Sequence, residues 1–521
     1  VRRLTALPVV ALLVAGLVSG CGDSGGGATG AGHASAGGSA GGSPATGGLD
    51  VAAENAKPGT SAWRLHDANP SASNHAIEGY ASAVSVLPGG QFTLYVSTTA
   101  PSFTVTAYRI GWYGGKQARE VWRSASVPGQ RQSEPAIARP LNTVTTHWSP
   151  SLSVRADGWP AGDYLLKLVS ATGDDRYVPI TVRSTQSRGR VVLMNGVTTW
   201  QAYNTWGGYS LYQGPDNGYA DRARAVSFDR PYTSVGADKF LTYEQPLVSL
   251  AERLGLPLSY ATDVDLSTDP ALFTGARALI SAGHDEYWSS SMRANATTLR
   301  DAGVNIAFFG ANAIFRHIRF ESSELGANRV VVCYKSASED PMFVTDKAET
   351  TQDWRDPPDP RPENVLTGTF YECNPVKAPF VVYQPDNWVF AGTGAGRGSS
   401  YPGLVGIEYD RVVNSPTTPR PITVLSHSPV TCQGRHSYSD AGYYTVPSGA
   451  GVFDTGSMVW VCALGSGCGD YVTSAARVFA RQVTANVLRA FAAGPAGAAH
   501  PAADNLGTVR EPTGPAPPAG T

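Results

Sequence analysis

Charge is scarce in this chain. Of its 521 residues only 16% are Asp, Glu, Lys or Arg, and 40 basic against 42 acidic side chains leave a formal net charge of -2. No basic stripe is available to neutralise phosphates, so nucleic acid is excluded as a partner class. Several motifs are missing as well. There is no H-E-x-x-H, no Cys-x-x-Cys, no Walker loop and no G-x-G-x-x-G after a strand, and the nine histidines are scattered, which argues against a zinc site built from several His. The one Gly-x-Ser-x-Gly match, Gly37 to Gly41, lacks the strand-turn-helix context of a nucleophile elbow. A metal-free amidase with a Cys or Ser nucleophile therefore has no recognisable elbow in the chain.

What is present is glycine (58 residues) and aromatic surface (11 Trp, 23 Tyr), the makeup of a turn-rich secreted enzyme or binding protein. The chain is too long for one hydrophobic core and predicts two folded units. Its opening, "VRRLTALPVVALLVAGLVSGC", has two Arg, an apolar stretch too short to span a bilayer, then Val18-Ser19-Gly20-Cys21. This is similar to a bacterial lipoprotein signal, which implies cleavage before Cys21, lipid on Cys21, and an exported protein anchored on the extracytoplasmic face of a membrane. In an oxidising compartment the five remaining cysteines form at most two disulfides, with Cys462 and Cys468 the easiest pair.

The expected organisation is a signal peptide at 1–21, a Gly/Ser/Ala-rich tether at 22–48, a β-domain at 49–185, an α/β domain at 186–495 and a disordered Pro/Ala tail at 496–521. Between 49 and 185, short apolar runs such as "QFTLYVST", "DYLLKLVS" and "DRYVPITV" alternate with turn signals. They predict an antiparallel β-sandwich of the immunoglobulin or fibronectin kind, with Tyr164 as a core or corner tyrosine. After 186 the period changes: "VVLMNG", "ARALISAG" and "VNIAFFG" read as buried strands, and "YEQPLVSLAERLG" and "SSSMRANATTLRDAG" as amphipathic helices. This alternation predicts a Rossmann-like α/β domain with a mostly parallel sheet.

Ligands of such sheets bind beyond the carboxyl ends of the strands. Three polar clusters fall there: Tyr203 in "QAYN", His284 and Glu286 in "SAGHDEYW", and Asn312 in "GANA". Asp263 and Asp265 are read as turn and cap residues rather than a metal pair. Lys335 and Glu408 stand beside apolar strands, where a charge would ordinarily form a rim salt bridge.

The series "TTWQAYNTWGG", "SLYQG", "SAGHDEYW", "FFGANAIF", "VVCYK" and "GIEYDR" resembles, in order and over roughly 185 to 495, the large catalytic subunit of the N,N-dimethylformamidase family, in an exported, lipid-anchored form. "YRIGWYGG" is similar to exported relatives too. The resemblance implies a glutamine-amidotransferase-like α/β fold and one ferric iron held by Tyr203, Tyr212 and Glu286, with Tyr243 the alternative to Tyr212. It implies roles in supporting the metal ligands and in catalysis for His284, Asn312, Lys335 and Glu408. Two phenolates and a carboxylate are hard anionic oxygen donors that match a trivalent hard cation. The activity it implies is hydrolysis of an amide or related C–N bond in a small molecule, with a small partner subunit or a homo-oligomer as further partner. The competing class is a lipid-anchored surface binding protein whose α/β domain is catalytically silent.

Overall fold

A computed structural model describes residues 48–67 and 75–514. The expected signal peptide with Cys21, and all but the last residue of the expected tether, lie outside the described residues.

The N-terminal part builds two sheets. Ile77–Ala81, Gln91–Thr98 and Leu152–Arg155 pair antiparallel in one. In the other, Gly162–Ser170 is flanked antiparallel by Ser102–Ile110 and Asp175–Val182. Alternate residues of these strands (Phe92, Leu94, Val96, Val105, Leu166, Leu168, Val178) bury into one shared core, as period-2 patterning dictates. Tyr164 is buried and its phenol donates to the Pro160 carbonyl at 2.6 Å, closing a corner.

The later part centres on a seven-stranded sheet. In spatial order its strands are Leu258–Thr262, Val191–Asn195, Ala278–Gly283, Asn305–Gly310, Gly451–Asp454, Gly442–Thr445 and Ile422–Val424. The first five run parallel, Gly442–Thr445 runs antiparallel to them, and Ile422–Val424, antiparallel to its neighbour, runs with the first five. The expected helices form at Gln245–Arg253 and Ser290–Asp301, the second with Met292 and Leu299 turned inward.

Even so, the predicted Rossmann-like, glutamine-amidotransferase-like class needs correction. Its elements are mostly strands, divided among several sheets, and its helices are few and mainly one or two turns long. The links between central strands pass through another four-stranded sheet (Ala225–Ser227, Gly326–Val332, Arg316–Ser323, Tyr287–Ser289) and through hairpins such as Phe370–Val381 with Ser400–Arg411. Strand-rich connections therefore replace the simple strand-helix alternation of that class. Local periodicity identified single elements, but the fold class depends on what the connections become.

Packing crosses residue 185 freely. One core cluster joins Tyr108, Ile110, Leu165 and Tyr177 to Leu193, Leu247, Ala251 and Tyr260. Arg109 and Glu252 form a 2.6 Å ion pair with neither side chain exposed, and Tyr260 donates to the same carboxylate. Asn195 Nδ2 reaches Asp163 at 2.7 Å. At the amino end of the central sheet, Arg190 donates to the carbonyls of Leu49 and Leu258. Asp265 makes a capping box with Thr262, and Asp263 accepts from the Thr198 hydroxyl, so this acidic pair serves the helix start.

The Pro- and Ala-rich segment expected to be disordered from 496 is folded as far as the description extends. Leu506 is buried, Asn505 bonds both ways with Val424, and Glu511 pairs with Arg411. Disulfides join Cys373 to Cys432 and Cys462 to Cys468, leaving Cys333 as a buried thiol. Among the described residues no helix is long and apolar enough to cross a membrane.

Candidate functional site

The carboxyl ends of the parallel strands hold the site. The strand Ala278–Gly283 ends in a glycine at φ +60°, where a Cβ would lie 2.4 Å from the Cβ of Tyr243. Only glycine can turn there, and the turn delivers His284, Asp285 and Glu286 inward. Glu286 N–H then donates to Thr199 Oγ1 at 3.0 Å. Thr199 belongs to the helix Val197–Ala202, which ends at Tyr203. After the neighbouring strand Asn305–Gly310, Asn312 sits at φ +60° and Ile314 at φ +57°, sparsely populated conformations held by their surroundings. Asn312 N–H donates to Asp410 and its side-chain amide to Glu408 Oε2, both at 2.8 Å, so this loop and the strand Ser400–Arg411 lock together.

These elements bring Tyr203, Tyr212, His284, Glu286, Asn312, Lys335 and Glu408 into one cluster. The phenol oxygen of Tyr203 is 2.7 Å from that of Tyr212 and 2.7 Å from Glu286 Oε2. Tyr212 Oη lies 3.0 Å from the same carboxylate oxygen and 2.9 Å from Oε1. Tyr243 makes no such contact; its ring packs edge-on against His284 at 6.1 Å. His284 Nε2 lies 3.3 Å from Glu286 and 3.4 Å from Glu408. The Lys335 ammonium stands 3.0 Å from the centre of the Tyr212 ring and has no hydrogen-bond acceptor.

Burial sharpens every charge here. It works to raise the Glu286 carboxyl, but His284, Arg316 and Lys335 outweigh it and hold that group at about 2. It works to lower His284, yet Glu408 and Glu286 carry the imidazole up to about 9. Burial, followed by the charge of Glu286, pushes Tyr203 and Tyr212 well above the usual phenol range. Both tyrosines are thereby neutral phenols that donate to the carboxylate.

Three contributors were missed in the sequence. Tyr287 donates to the Tyr212 phenol at 2.7 Å, Arg316 reaches Glu286 Oε1 at 3.3 Å and pairs closely with Asp353, and the fully buried Arg230 donates to the carbonyls of Asn204, Trp206 and Tyr209. A charged residue inside an apolar stretch was the available signal for Arg316. Arg230 gave none, because its partners are backbone carbonyls.

Among the described residues no group of three or more His, Cys, Asp or Glu is placed to hold a metal; the Tyr203, Tyr212 and Glu286 set is of another donor type. Adjacent donors of an octahedral ion at about 2.0 Å are about 2.8 Å apart, and the three oxygens here are separated by 2.7, 2.7 and 3.0 Å. The residues therefore fit a small hard cation. No curated protein matches the chain. The family described as N,N-dimethylformamidase beta subunit-like, C-terminal, matches residues 104–470, and the chain belongs to that family.

Proposed function

We propose that the protein is an iron-dependent hydrolase of small amides or related C–N bonds. The observation that carries this reading is the triangle of Tyr203, Tyr212 and Glu286 oxygens, buried beside a histidine and a second carboxylate. Tyr203, Tyr212 and Glu286 would hold the iron, and when bound it supplies Lewis acidity at the scissile carbonyl.

The chain's own residues perform the proton work. Glu408, oriented by the Asn312 amide, takes a proton from the attacking water. As the water oxygen bonds to the acyl carbon and the C–N bond breaks, His284, already protonated at neutral pH, gives its Nε2 proton to the departing nitrogen and is recharged by the proton that Glu408 took. Asn312 and Lys335 supply N–H donors for charge developing on the acyl oxygen. Lys335 is held ready at φ +59°.

Ferric tyrosinate absorbs visible light, so iron-loaded protein is expected to be coloured. Tyr203→Phe, Tyr212→Phe and Glu286→Gln are each expected to lower iron affinity by more than about 100-fold and bleach the band, with the fold retained by circular dichroism. Glu408→Gln should keep the colour and lose turnover. Uncoloured wild type that binds no iron under anaerobic reconstitution, with Tyr203→Phe indistinguishable from it, would return the chain to the binding-protein reading. Export fits the same proposal: a lipid on Cys21 would be seen as an acylated mature N-terminus by mass spectrometry, and the two disulfides suit an oxidising compartment. A small partner subunit or a homo-oligomer belongs to the same proposal, and the mass of the purified assembly in solution tests it.

A further inference from the structure

The two oxygens of Glu408 are held unequally. Asn312 and His284 face Oε2, at 2.8 and 3.4 Å, whereas Oε1 has one hydrogen-bonding partner among the described residues, the side-chain amide of Asn374 at 3.4 Å. That same amide nitrogen donates to the phenol oxygen of Tyr371 at 2.7 Å. Tyr371 and Asn374 stand on the strand Phe370–Val381, paired with the strand that carries Glu408, and Cys373 between them is fastened to Cys432.

Tyr371 is buried and fixed at three points. Its ring packs edge-on against Phe315 at 5.0 Å, its N–H donates to Glu363, and its carbonyl accepts from Arg355. The hydroxyl is only half used. Its oxygen accepts from Asn374, but among the described residues nothing accepts the phenol proton, and a buried donor left without an acceptor is costly. Burial, followed by the charges of Glu408 and Glu286, holds this phenol well above its usual range, so it keeps its proton.

Two oxygens bonded to one amide nitrogen cannot be far apart. With the two N–H bonds diverging by about 120°, Tyr371 Oη and Glu408 Oε1 are about 5 Å from each other. One water, with O–H···O distances of about 2.8 Å, spans that separation. It would donate to the carboxylate and accept from the phenol.

We infer that Tyr371 is a further catalytic residue, which holds the attacking water against Glu408, and that Asn374 is the positioning residue that sets their separation. The inference rests on the hydrolase reading and adds to it the group that orients the nucleophile. As Glu408 removes one proton from the water and the water oxygen bonds to the acyl carbon, the hydrogen bond from Tyr371 stabilises the negative charge developing on that oxygen. Tyr371 keeps its own proton, so the step needs no other acid or base.

The test combines crystallography with turnover. Crystals of iron-free and of iron-loaded wild type are expected to show an ordered water within about 3.2 Å of both Tyr371 Oη and Glu408 Oε1, and crystals of Tyr371→Phe to lack it with Glu408 in place. With formamide, acetamide and N,N-dimethylformamide as probes, Tyr371→Phe should lower kcat about 100-fold, as the loss of one preorganised donor does. Its KM should stay within about threefold of wild type, with iron content, visible band and thermal melting unchanged. Asn374→Ala should displace the water and lower kcat about 10-fold at an unaltered KM. Crystals with no water between the two oxygens, or an active wild type whose Tyr371→Phe variant keeps full turnover, would overturn the inference and leave the iron site standing. Wild type that holds the water yet hydrolyses none of the probes would count against the hydrolase reading and take the catalytic role of Tyr371 with it.

Discussion

Arg230 shows how a single residue controls a centre it never touches. Its guanidinium is fully buried with no carboxylate partner, and burial alone lowers it to about 9. Its donors instead fasten the carbonyls between Tyr203 and Tyr212, so the spacing of the two phenols rests on it. Arg230→Met is expected to reduce iron affinity by about 10- to 100-fold, as supporting residues commonly do, and to shift the visible band of the iron that remains. His317 bears on stability instead. It lies stacked on Trp354 at 3.9 Å, and burial together with Arg361 and Arg293 depresses its imidazole to about 3. Being neutral when folded, it contributes fully above the unfolded value of about 6.5 and loses that contribution as pH falls toward about 3. Denaturant unfolding at pH 7 and pH 4 should show His317→Phe losing about 2–3 kcal/mol less than wild type over that interval. The site residues themselves were largely legible, because "QAYN", "GHDEY" and "GANA" each follow a buried strand and strand ends converge. Arg230 was not, since nothing in a linear pattern reports a backbone partner.

Elements were legible one by one, and their sum was not. The helices at Gln245–Arg253 and Ser290–Asp301 keep the 3.6-residue pattern that identified them. The hairpin Phe370–Val381 with Ser400–Arg411 looked like unplaced strands, although it carries Glu408 into the cluster. The Cys373–Cys432 bond fastens this hairpin to the strand Ser428–Cys432 and encloses Glu408 in its loop. Replacing both cysteines with serine is expected to cost about 2–4 kcal/mol in chemical denaturation. It should lower turnover more than iron occupancy, because the hairpin carries Glu408 and none of the three proposed ligands. Gly283→Ala acts at the strand end. Positive φ and the Tyr243 contact together exceed about 1–3 kcal/mol of strain, and the variant should lose iron even where it still folds.

At the scale of the whole molecule, the sequence divides more cleanly than the structure does. The period change near residue 186 is real, but the family match begins at residue 104, inside the second sheet of the N-terminal part, and one core spans both sides. A fragment of residues 186–514 is therefore expected to lack a cooperative thermal transition, in contrast to the chain from 48 to 514. The Arg109–Glu252 pair offers a finer probe: Glu252→Gln leaves a buried guanidinium uncompensated and should cost about 3–5 kcal/mol in urea, whereas a surface pair such as Arg123–Glu120 should cost under about 1 kcal/mol.

The bond from Arg190 to Leu49 has a bearing on orientation. It holds Leu49 against the amino ends of the parallel strands, while Glu286 and its neighbours lie past the opposite ends, a five-residue strand or about 16 Å away. In the proposed lipid-anchored hydrolase, the Tyr203, Tyr212 and Glu286 cluster would thus lie at the opposite end of the sheet from Leu49.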